Sequence, residues 1–423
     1  MDPKREQVVV VGGGFAGLSA VARLASEDVD ITLVDKRNHH LFQPLLYQVA
    51  TAGLSPADIA APIRSIVSRN PRIQVLLDEM TGLVPGARRI ALATGATLAF
   101  DTLIVATGAQ HSYFGRDEWA PFAPGVKTLD DATRIRGAIL LALERAETNR
   151  QENVSRREEF LTFVVVGGGP TGVEMAGAIA ELTRQTVTMD FRFITPRCVR
   201  IILVQSADRL LPGFAEDLGA CAKRALESLG VQVRLNARVT GIDAMGVMIG
   251  DERLETATVI WAAGVQATGA AAWLDAEADR AGRAVVGPDL TLAGRPEIFV
   301  IGDTAMVTDA DGKVVPGLAP AAKQQGDYVA QVIAARRRGM PAPPPFRYRH
   351  QGSLATIGRQ RAVADFGWLR LSGFMAWALW STAHLFFLVG FRNRMVVGAN
   401  WLWNYLTFDR GARLITGVDA PSA

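Results

Sequence analysis

Residues Val8 to Leu24 read VVVVGGGFAGLSAVARL, an apolar β-branched run followed by Gly-x-Gly-x-x-Gly and then by apolar residues at helical spacing. A strand that turns directly into a helix needs glycine at these positions. Gly12 makes the tight turn, Gly14 lets a pyrophosphate approach the backbone, and Gly17 lets the helix pack on the strand. The helix N-terminus presents free N–H groups to the phosphates. The stretch therefore predicts a strand-turn-helix unit that binds a dinucleotide.

The same pattern occurs again about 155 residues later. Phe163 to Ile179 read FVVVGGGPTGVEMAGAI, and Gly167, Gly169 and Gly172 take the three glycine positions. One such motif is weak evidence, because tight turns use glycine for purely structural reasons. Two copies in matching context favour two nucleotide sites.

The residue that ends the next strand differs between the two copies. In the first copy the strand DITLVD ends at Asp35, 18 residues after Gly17. A carboxylate there accepts hydrogen bonds from a ribose, although Asp35 could also be a helix cap. In the second copy the strand RIILVQ ends at Gln205. A carboxylate repels a 2′-phosphate, whereas a neutral amide can bind either cofactor, so we expect NADH use with tolerance of NADPH.

Composition and charge exclude several classes of protein. The 423 residues are 49% hydrophobic and 21% charged, which is typical of a globular chain of two or three domains. The net charge of +3 gives no reason to expect nucleic-acid binding. Cys198 and Cys221 cannot form a disulfide framework, and with the five histidines they give no convincing metal site. We therefore predict an intracellular protein without a signal peptide and without a metal.

Three further stretches fit the same architecture. They read LIVATGA with Thr107 and Gly108, VIWAAGV with Ala263 and Gly264, and EIFVIGDTA with Gly302 and Asp303. Together with the glycine motifs, they resemble the two-dinucleotide-domain flavoprotein superfamily, in which the first unit holds FAD and the second holds the nicotinamide. The superfamily's disulfide reductases carry a cysteine pair just after the FAD ribose strand. Here residues 36–60 contain no cysteine, so electrons must leave the flavin for another acceptor.

Five stretches are similar to type II NADH dehydrogenases, the single-subunit, non-proton-pumping NADH:quinone oxidoreductases. They are FQPLLYQVATAGLSP, GGGPTGVEMAGAIAEL, RLLPGF, GSLATIGR and the tail FLVGFRNR…NWLWNYLTFDRGARLI. The resemblance covers nearly the whole chain. It implies that a hydride passes from NAD(P)H to FAD, and that two electrons then pass to a membrane quinone.

The resemblance also implies roles for individual residues. Glu174 is implied to act beside the nicotinamide and flavin, although the helix dipole alone favours a carboxylate there. Gln324 is implied to lie near the quinone, and Gln48, on the segment that should pass near the flavin, is assigned to the same site. His384 is assigned to the quinone path by its place on the inner side of the tail helix, not by the resemblance.

The family's quinone motif, Ala-Gln-x-Ala-x-Gln, appears here as APAAKQQG, with Pro320 where glutamine is frequent. Lys323 enters the motif. Its catalytic role would be to pair with Glu174 or to stabilise reduced flavin; its alternative is an exposed lysine.

The remaining implied contacts are to the two cofactors. For FAD they are Gly12, Gly13, Gly14, Phe15, Ala16, Gly17, Asp35, Lys36, Met80, Thr107, Gly108, Gly302, Asp303 and Ala322. For NAD(P)H they are Gly167, Gly169, Gly172, Gln205, Ala263 and Gly264. His39 and His40 are expected either to cover the adenosine side of FAD or to end a strand.

The chain ends in a strongly apolar tail. Ser372 to Phe391 read SGFMAWALWSTAHLFFLVGF, twenty residues without Asp, Glu, Lys or Arg, about long enough to cross a bilayer. One helical side carries Gly373, Trp377, Ser381 and His384, which suits protein or headgroups. The other side is left for lipid or core, and it carries Phe374, Leu385, Phe386 and Val389. We interpret the stretch as a helix lying in one leaflet. A buried dimer interface and a spanning helix are the alternatives.

The later segment GANWLWNYLTF, residues 398–408, is too short to span a bilayer. It places Asn400, Asn404 and Thr407 on one face, and Leu402 and Leu406 elsewhere. The aromatic residues Trp377, Trp380, Trp401, Trp403 and Tyr405 suit the water–lipid interface, and Arg392, Arg394, Arg410 and Arg413 suit an anionic membrane surface.

These inferences predict an α/β fold class with two Rossmann-like dinucleotide-binding domains, the second inserted in the first, and a C-terminal membrane-associating helical segment. The FAD-binding domain is expected to comprise residues 1–120 and 266–335, and the NAD(P)H-binding domain residues 121–265. A linker and β segment follows at 336–370, and a membrane-anchoring segment at 371–423.

The expected partners are a quinone, either ubiquinone or menaquinone, the membrane surface and a second copy in a homodimer. The expected location is the cytoplasmic face of the inner membrane, with peripheral attachment. Two alternatives remain at this point. One is a soluble FAD-dependent NAD(P)H reductase of a protein electron carrier, and the other is a flavin-binding redox sensor at the membrane.

Overall fold

A computed structural model describes residues 5–149, 154–407 and 410–416 of the chain. The parts of the predicted domains at 1–4, 150–153, 408–409 and 417–423 lie outside the described residues. The chain forms two compact units. The first contains residues 5–40, Ala61–Gln110 and Val265–Gln351, and the second contains Leu41–Ala60, His111–Gly264 and the described residues from Gly352 onwards.

The first unit is built on a six-stranded sheet. Its central strand, Glu6–Val11, carries the four-valine run, and Val8 to Val11 are at most 3% exposed. A strand covered on both faces is buried along its whole length, which explains the uninterrupted valines. The strands are, in spatial order, Thr291–Leu292, Arg295–Val300, Thr102–Val105, Glu6–Val11, Val29–Asp35 and Ile73–Leu77; all pairs are parallel except the first.

Two helices of this unit pack closely on each other. They are Phe15–Leu24, which begins directly after the first glycine motif, and Ala319–Arg337. A side chain at Gly326 would overlap the Ala16 carbonyl oxygen, so glycine is needed at that crossing. The other elements of the unit are helices Ile63–Val67 and Ala270–Trp273 and strands Met80–Leu83, Arg89–Leu92, Thr97–Ala99, Val265–Ala267, Ala284–Val285 and Ala305–Met306.

The second unit repeats the same plan on a four-stranded parallel sheet. Its strands are, in spatial order, Val231–Arg234, Arg200–Val204, Thr162–Val166 and Thr258–Trp261. The helix Pro170–Asp190, here called the carboxylate helix, follows the second glycine motif. The helix Leu129–Thr148 begins with a capping box, in which the Thr128 side chain accepts from the Asp131 backbone N–H.

The remaining elements of the second unit surround this sheet. Helices Val154–Phe160 and Glu216–Ser228 and the antiparallel strands Val239–Asp243, Gly246–Ile249 and Glu252–Glu255 complete its nucleotide-binding half. Helices Leu46–Ala50 and Pro56–Ile59 and the antiparallel strands Ser353–Gly358, Arg361–Asp365 and Arg370–Ser372 precede the tail in the same unit. Short strands His39–Leu41, Ala60–Pro62 and Ala109–His111 lie where the chain passes from one unit to the other.

The tail consists of two helices, Gly373–Phe387 and Phe391–Thr407, here called the first and second tail helices. The chain turns between them at Gly390, whose φ is +90°. In the described part of the chain, no helix combines the length and apolarity that a membrane span requires. The prediction of one helix over Ser372 to Phe391 is wrong in its extent, because the first tail helix ends at Phe387.

The tail also divides its side chains differently from our expectation. Phe374 and Phe386, which were expected to face either lipid or core, are 54% and 67% exposed. Trp380 is 2% exposed and packs inside, so its expected place at a water–lipid interface is wrong. The fold class, an α/β chain with two nucleotide-binding units and a helical tail, is confirmed.

Candidate active site

The first glycine loop has the shape that its sequence predicts. Gly12 has a φ of +107°, and a Cβ there would overlap the Ala106 carbonyl. A Cβ at Gly17 would overlap the Gly12 carbonyl. Around Gly14, by contrast, no atom lies within 4 Å of where a Cβ would be. The loop is therefore closed at two glycines and open at the third, where the pyrophosphate of FAD would approach.

The side chains of Asp35 and His40 hold the first glycine loop by hydrogen bonds to Gly13. Asp35 Oδ2 accepts from the Gly13 N–H at 2.6 Å, and its Oδ1 accepts from the Arg37 N–H at 2.7 Å. His40 is buried, with its Nδ1 3.0 Å from the Gly13 carbonyl oxygen. A carbonyl only accepts, so Nδ1 carries the proton. Burial lowers the pKa of His40, which keeps the ring neutral, and Phe15 packs edge-on against it.

The other residues predicted to bind FAD lie in the same unit. Gly302, with a φ of +75°, donates its N–H to the buried side chain of Gln325 at 2.6 Å, which orders the backbone just before Asp303. Thr107 Oγ1 lies 2.6 Å from Thr268 Oγ1, beside Gly108. The carboxylates at 35 and 303, the helix N-terminus and the open Gly14 form a donor and acceptor set that fits a flavin dinucleotide.

Three predicted FAD contacts have other surroundings. Lys36 forms a surface ion pair with Glu79 at 2.9 Å. Met80 is 1% exposed in the core of the unit, and Ala322 is 7% exposed. Their contacts with FAD stay predictions.

The second glycine loop matches the first. Gly167 has a φ of +110°, a Cβ at Gly172 would overlap the Gly167 carbonyl, and Gly169 has no atom within 4 Å of its Cβ position. Gln205 Oε1 accepts from the Gly168 N–H at 2.9 Å, so it takes the place that Asp35 has in the first loop. After the last strand of the sheet, Ala263 and Gly264 follow. A Cβ at Gly264 would lie 2.6 Å from Phe114, so the backbone there passes close to a ring.

The second unit also contains a cavity of about 640 Å³, here called the tail cavity. It brings together Gln48 and Glu174, two residues that the sequence analysis singled out separately. Its walls come from residues 47–53, the carboxylate helix, residues 356–359 and both tail helices. Half of the lining residues are polar or charged, but most of the accessible lining surface is apolar, as in sites for small organic molecules.

Glu174 is the titratable group best placed for chemistry in the tail cavity. Its Oε1 accepts from the Thr356 N–H at 3.3 Å, and part of the carboxyl group remains open to the cavity. Burial raises the pKa of Glu174 to about 8. The carboxyl group is therefore mostly protonated at neutral pH and can donate a hydrogen bond or a proton.

Glu181 lies two turns further along the same helix and holds the end of the tail. Its Oε2 pairs with Arg410 at 3.2 Å, and its Oε1 accepts from the Arg359 N–H. Arg410 also donates to the carbonyls of Thr51 and Ala178, at 2.9 and 3.3 Å. Arg410 is thus directed into the protein, and the expectation that it faces an anionic membrane is wrong.

Three asparagines of the second tail helix, two of them on the predicted polar face, bond to residues 53–60. Asn393 Nδ2 donates to the Ala60 carbonyl, Asn400 Nδ2 to Asp58 Oδ2, and Asn404 Nδ2 to the Gly53 carbonyl, each at 3.3 Å. Thr407 instead bonds back to the Trp403 carbonyl of its own helix.

Three predicted catalytic or quinone residues lie elsewhere. His384 stacks on Trp380 at 4.1 Å and bonds the Trp380 carbonyl; among the described residues that line the tail cavity it does not appear. Burial lowers the pKa of His384 to about 4. Lys323 and Gln324 belong to the first unit, where Gln324 makes two 2.9 Å bonds with the backbone of Arg349. Their roles stay predictions.

Sequence reasoning missed several residues of the two sites. Gln325 gives no motif signal beyond its place in QQG, and Glu181 reads as an ordinary helix carboxylate. Trp401 was assigned to the water–lipid interface, and Tyr47 was given no role. A signal for Tyr47 and Glu181 was available, since Tyr47 adjoins Gln48 and Glu181 follows Glu174 by seven residues on the same helical face.

Comparisons with known proteins agree with this arrangement. Residues 6–326 match the family model "Pyridine nucleotide-disulphide oxidoreductase", and residues 350–410 match "NDH2 C-terminal domain". The chain is 45% identical to "Type II NADH:quinone oxidoreductase NdhA" of Mycobacterium tuberculosis, over 97% of this chain and 90% of that protein. It is 44% identical to Ndh of the same organism, over 99% and 92%.

Among solved structures, the chain resembles NDH2 from Plasmodium falciparum in complex with NADH. The TM-score is 0.89 at 21% identity, and the match covers 97% of this chain and all of that one. This likeness supports the fold, and the mycobacterial identities support the family. The chain therefore belongs to the pyridine nucleotide-disulphide oxidoreductases and, within them, to the type II NADH:quinone oxidoreductases.

Proposed function

We propose that this chain oxidises NADH with bound FAD and reduces a quinone whose headgroup binds in the tail cavity. The observation that carries the proposal is Glu174, a carboxyl group protonated at neutral pH that opens onto an aromatic-walled cavity of about 640 Å³. Reduction of a quinone to a quinol needs protons at the carbonyl oxygens, and a neutral carboxyl group supplies one there. FAD, when bound, accepts a hydride and passes two electrons on.

The two glycine loops support the assignment of the two nucleotides. Asp35 holds the first loop and can accept from the ribose of FAD, whereas Gln205 holds the second loop. Gln205 carries no charge that would repel a 2′-phosphate, which supports the proposal that NADPH is tolerated beside NADH. The FAD domain at 1–120 and 266–335 and the NAD(P)H domain at 121–265 remain part of this proposal.

The direct test is NADH-driven reduction of short-chain ubiquinone and menaquinone by the detergent-purified full chain. The flavin spectrum should bleach on addition of NADH and recover on addition of the accepted quinone. Bleaching without recovery by either quinone would reject the proposed function.

Alanine at the two open glycines should separate the two nucleotide sites. Gly14→Ala and Gly169→Ala meet no protein atom within 4 Å, and both positions have extended backbone that alanine adopts. Each methyl group would instead stand where a pyrophosphate approaches. We expect Gly14→Ala to lower the flavin content of the purified protein. Gly169→Ala should keep its flavin and raise the KM for NADH and NADPH, by about tenfold or more.

Flavin absorbance per protein and steady-state kinetics measure these effects, and thermal unfolding checks the fold. A matched control needs a glycine that is open and has no positive φ, which excludes Gly95 with its φ of +85°. The open Gly213 is the matched control, and Gly213→Ala should change neither flavin content nor KM. Loss of flavin from Gly169→Ala with retention in Gly14→Ala would reverse the assignment.

The exposed side of the tail supports peripheral attachment to a membrane. Large apolar side chains project from both helices, and a patch of this kind marks an interaction surface. The most exposed are Phe374, Met375, Phe386, Phe391, Met395, Leu402, Trp403 and Leu406, each at least 54% exposed. The cytoplasmic face and a homodimer are further parts of this proposal, and light scattering of the detergent-solubilised protein tests the dimer.

Serine at Leu402, Trp403 and Leu406 together should release the protein from membranes while leaving the fold intact. These three side chains are more than 60% exposed, so their loss removes lipid contact without opening the core. Deletion of the whole tail is a poorer test, because it would also remove the buried Trp380 and the ion pair of Arg410 with Glu181.

Flotation with liposomes of mixed anionic lipid measures the release. Met245→Ser changes an equally apolar residue, 55% exposed in the second unit, and is the control that should still float. Undiminished flotation of the triple variant would mean that the anchor lies elsewhere, and a wild type that does not float would favour the alternative of a soluble reductase.

A further inference from the structure

Trp401, Gln48 and Tyr47 form a short hydrogen-bonded relay in the second unit. Trp401 determines which atom donates at each step, because its indole N–H can only donate. Trp401 Nε1, on the second tail helix, donates to Gln48 Oε1 at 2.8 Å. Gln48 Nε2 lies 2.9 Å from the Tyr47 hydroxyl. The indole N–H is a donor and never an acceptor, so the oxygen of the Gln48 amide must face it. The NH₂ group of Gln48 therefore faces Tyr47, and the amide cannot be turned over without losing the bond to Trp401.

The direction of this relay determines where the proton of Tyr47 goes. Since the Gln48 NH₂ group only donates, the Tyr47 oxygen accepts, and its own O–H must point to something else. Within residues 5–149, 154–407 and 410–416, the Tyr47 O–H donates to no protein acceptor. Tyr47 lines the tail cavity, as do Gln48 and Trp401. The open direction for the O–H is therefore the cavity.

The surroundings keep this hydroxyl protonated. Tyr47 is 6% exposed, and its ring lies edge-on to the buried Trp380. Burial, with the nearby carboxyl groups of Glu174 and Glu181, holds the pKa of Tyr47 well above its usual value. Tyr47 is thus a neutral donor throughout the range in which an enzyme works, with little freedom to turn.

We propose that the Tyr47 O–H donates a hydrogen bond to a carbonyl oxygen of the quinone in the tail cavity, and that Trp401 sets the direction of this bond through Gln48. The inference rests on the proposed function and adds a residue to it. Charge develops on the quinone oxygens as two electrons arrive, and a fixed donor in a buried site stabilises that charge.

The stoichiometry of the reaction does not include Tyr47, because the tyrosine keeps its proton. One NADH, one proton and one quinone give NAD⁺ and one quinol. Trp401 and Gln48 are positioning residues in this scheme, since they act through Tyr47. The second tail helix thereby contributes Trp401 to the quinone site as well as apolar side chains to the exposed surface.

Tyr47→Phe tests the donor with the smallest change of shape. The kcat for ubiquinone or menaquinone reduction should fall by roughly 100-fold, the lower end of the loss caused by removing one preorganised donor. The rate at which NADH bleaches the flavin in the absence of quinone should stay close to that of the wild type. Tyr328→Phe, which removes a half-buried tyrosine hydroxyl from the first unit, is the matched control and should change neither rate.

Gln48→Glu tests the direction of the relay. A carboxylate accepts from Trp401 and from Tyr47 alike, so the Tyr47 proton would turn away from the cavity while the contacts remain. We expect a fall in quinone kcat comparable to that of Tyr47→Phe, and no further fall in the double variant. A carboxyl group at 48 can hold a proton as Glu174 does, so Gln48→Met, which removes the amide without adding a charge or an O–H donor, is assayed beside Gln48→Glu at the same pH.

Three outcomes decide the matter. The proposal is supported if each single variant lowers quinone kcat and the double variant lowers it no further than either one alone. Tyr47→Phe with wild-type quinone kcat, or fully additive losses, would overturn it while the proposed function stands. A wild-type chain that reduces neither quinone would overturn the proposed function itself, and the relay with it. Flavin content and thermal unfolding of each variant identify any loss due to misfolding, and Trp401→Phe then gives a second, intermediate reading of the same relay.

Discussion

Glu174→Gln is expected to lower quinone turnover at pH 7 by at least about 100-fold, the lower range of what a positioned general acid contributes. The carboxyl group opens onto the tail cavity and holds a proton at neutral pH because burial raises its pKa to about 8. Glutamine keeps the shape and the bond from the Thr356 N–H but has no proton to give up. Reduction of the flavin by NADH, followed without quinone, should change much less.

The pH dependence gives the same prediction a sharper form. In the wild type, quinone kcat should fall as the pH rises through about 8, since the Glu174 carboxyl group then loses its proton. Glu174→Gln should lack this limb. Profiles from pH 6 to 9.5 in one detergent measure it, and Glu144→Gln, an exposed glutamate in the same unit, is the control that should keep the limb. A wild-type profile that stays flat through pH 9.5 would contradict the assignment.

The stability of the folded protein should fall as the pH rises and the Glu174 carboxyl group loses its proton. The pKa of Glu174 lies above the value of 4.5 expected in the unfolded chain, so the folded state holds the proton more tightly. This contribution is complete below about pH 4.5 and is lost as the pH rises through about 8. Glu174→Gln should therefore unfold at a higher temperature than the wild type at pH 9, and the difference should shrink at pH 5.

The two nucleotide loops could be predicted from the sequence because their geometry is local. Gly12 and Gly17 are required by carbonyl groups within the same strand-turn-helix unit or the adjacent strand, and Gly14 is free because nothing from the protein is there. Asp35 and Gln205 lie at the predicted strand ends and hold the predicted loops. Spacing within about forty residues was enough to place all of these positions.

The tail cavity could not be predicted, because its residues are distant in the chain. Trp401 meets Gln48 across 353 positions, and no periodicity reports such a contact. The apolar pattern of the tail predicted a membrane surface, and it gave no sign that Trp380 is buried or that the second tail helix carries a donor for the cavity. Arg410 was misassigned for a related reason: an arginine beside an apolar stretch looks the same whether it faces lipid headgroups or a carboxylate 229 positions away.

Arg410→Met is expected to give the largest loss of stability among the single substitutions considered. It leaves Glu181 charged and half-buried without its cation, and it leaves the Thr51 and Ala178 carbonyls without their donor. Removing one partner of a buried pair costs about 3–5 kcal/mol, and here the cavity's access to water places the cost at the lower end. The unfolding temperature of the FAD-loaded protein should fall by at least about 5 °C.

Two companion variants separate the pair from ordinary loss of charge. Arg413→Met breaks the more exposed ion pair with Asp190 and should cost less than about 1 kcal/mol. Glu181→Gln combined with Arg410→Met removes both charges, while the amide still accepts from the Arg359 N–H. The double variant should therefore recover part of the loss. Equal melting of Arg410→Met and Arg413→Met would mean that the Glu181 pair does not hold the tail in place. If the pair does hold it, Arg410→Met should also impair quinone reduction more than flavin reduction, because the same tail carries Trp401 to the cavity wall.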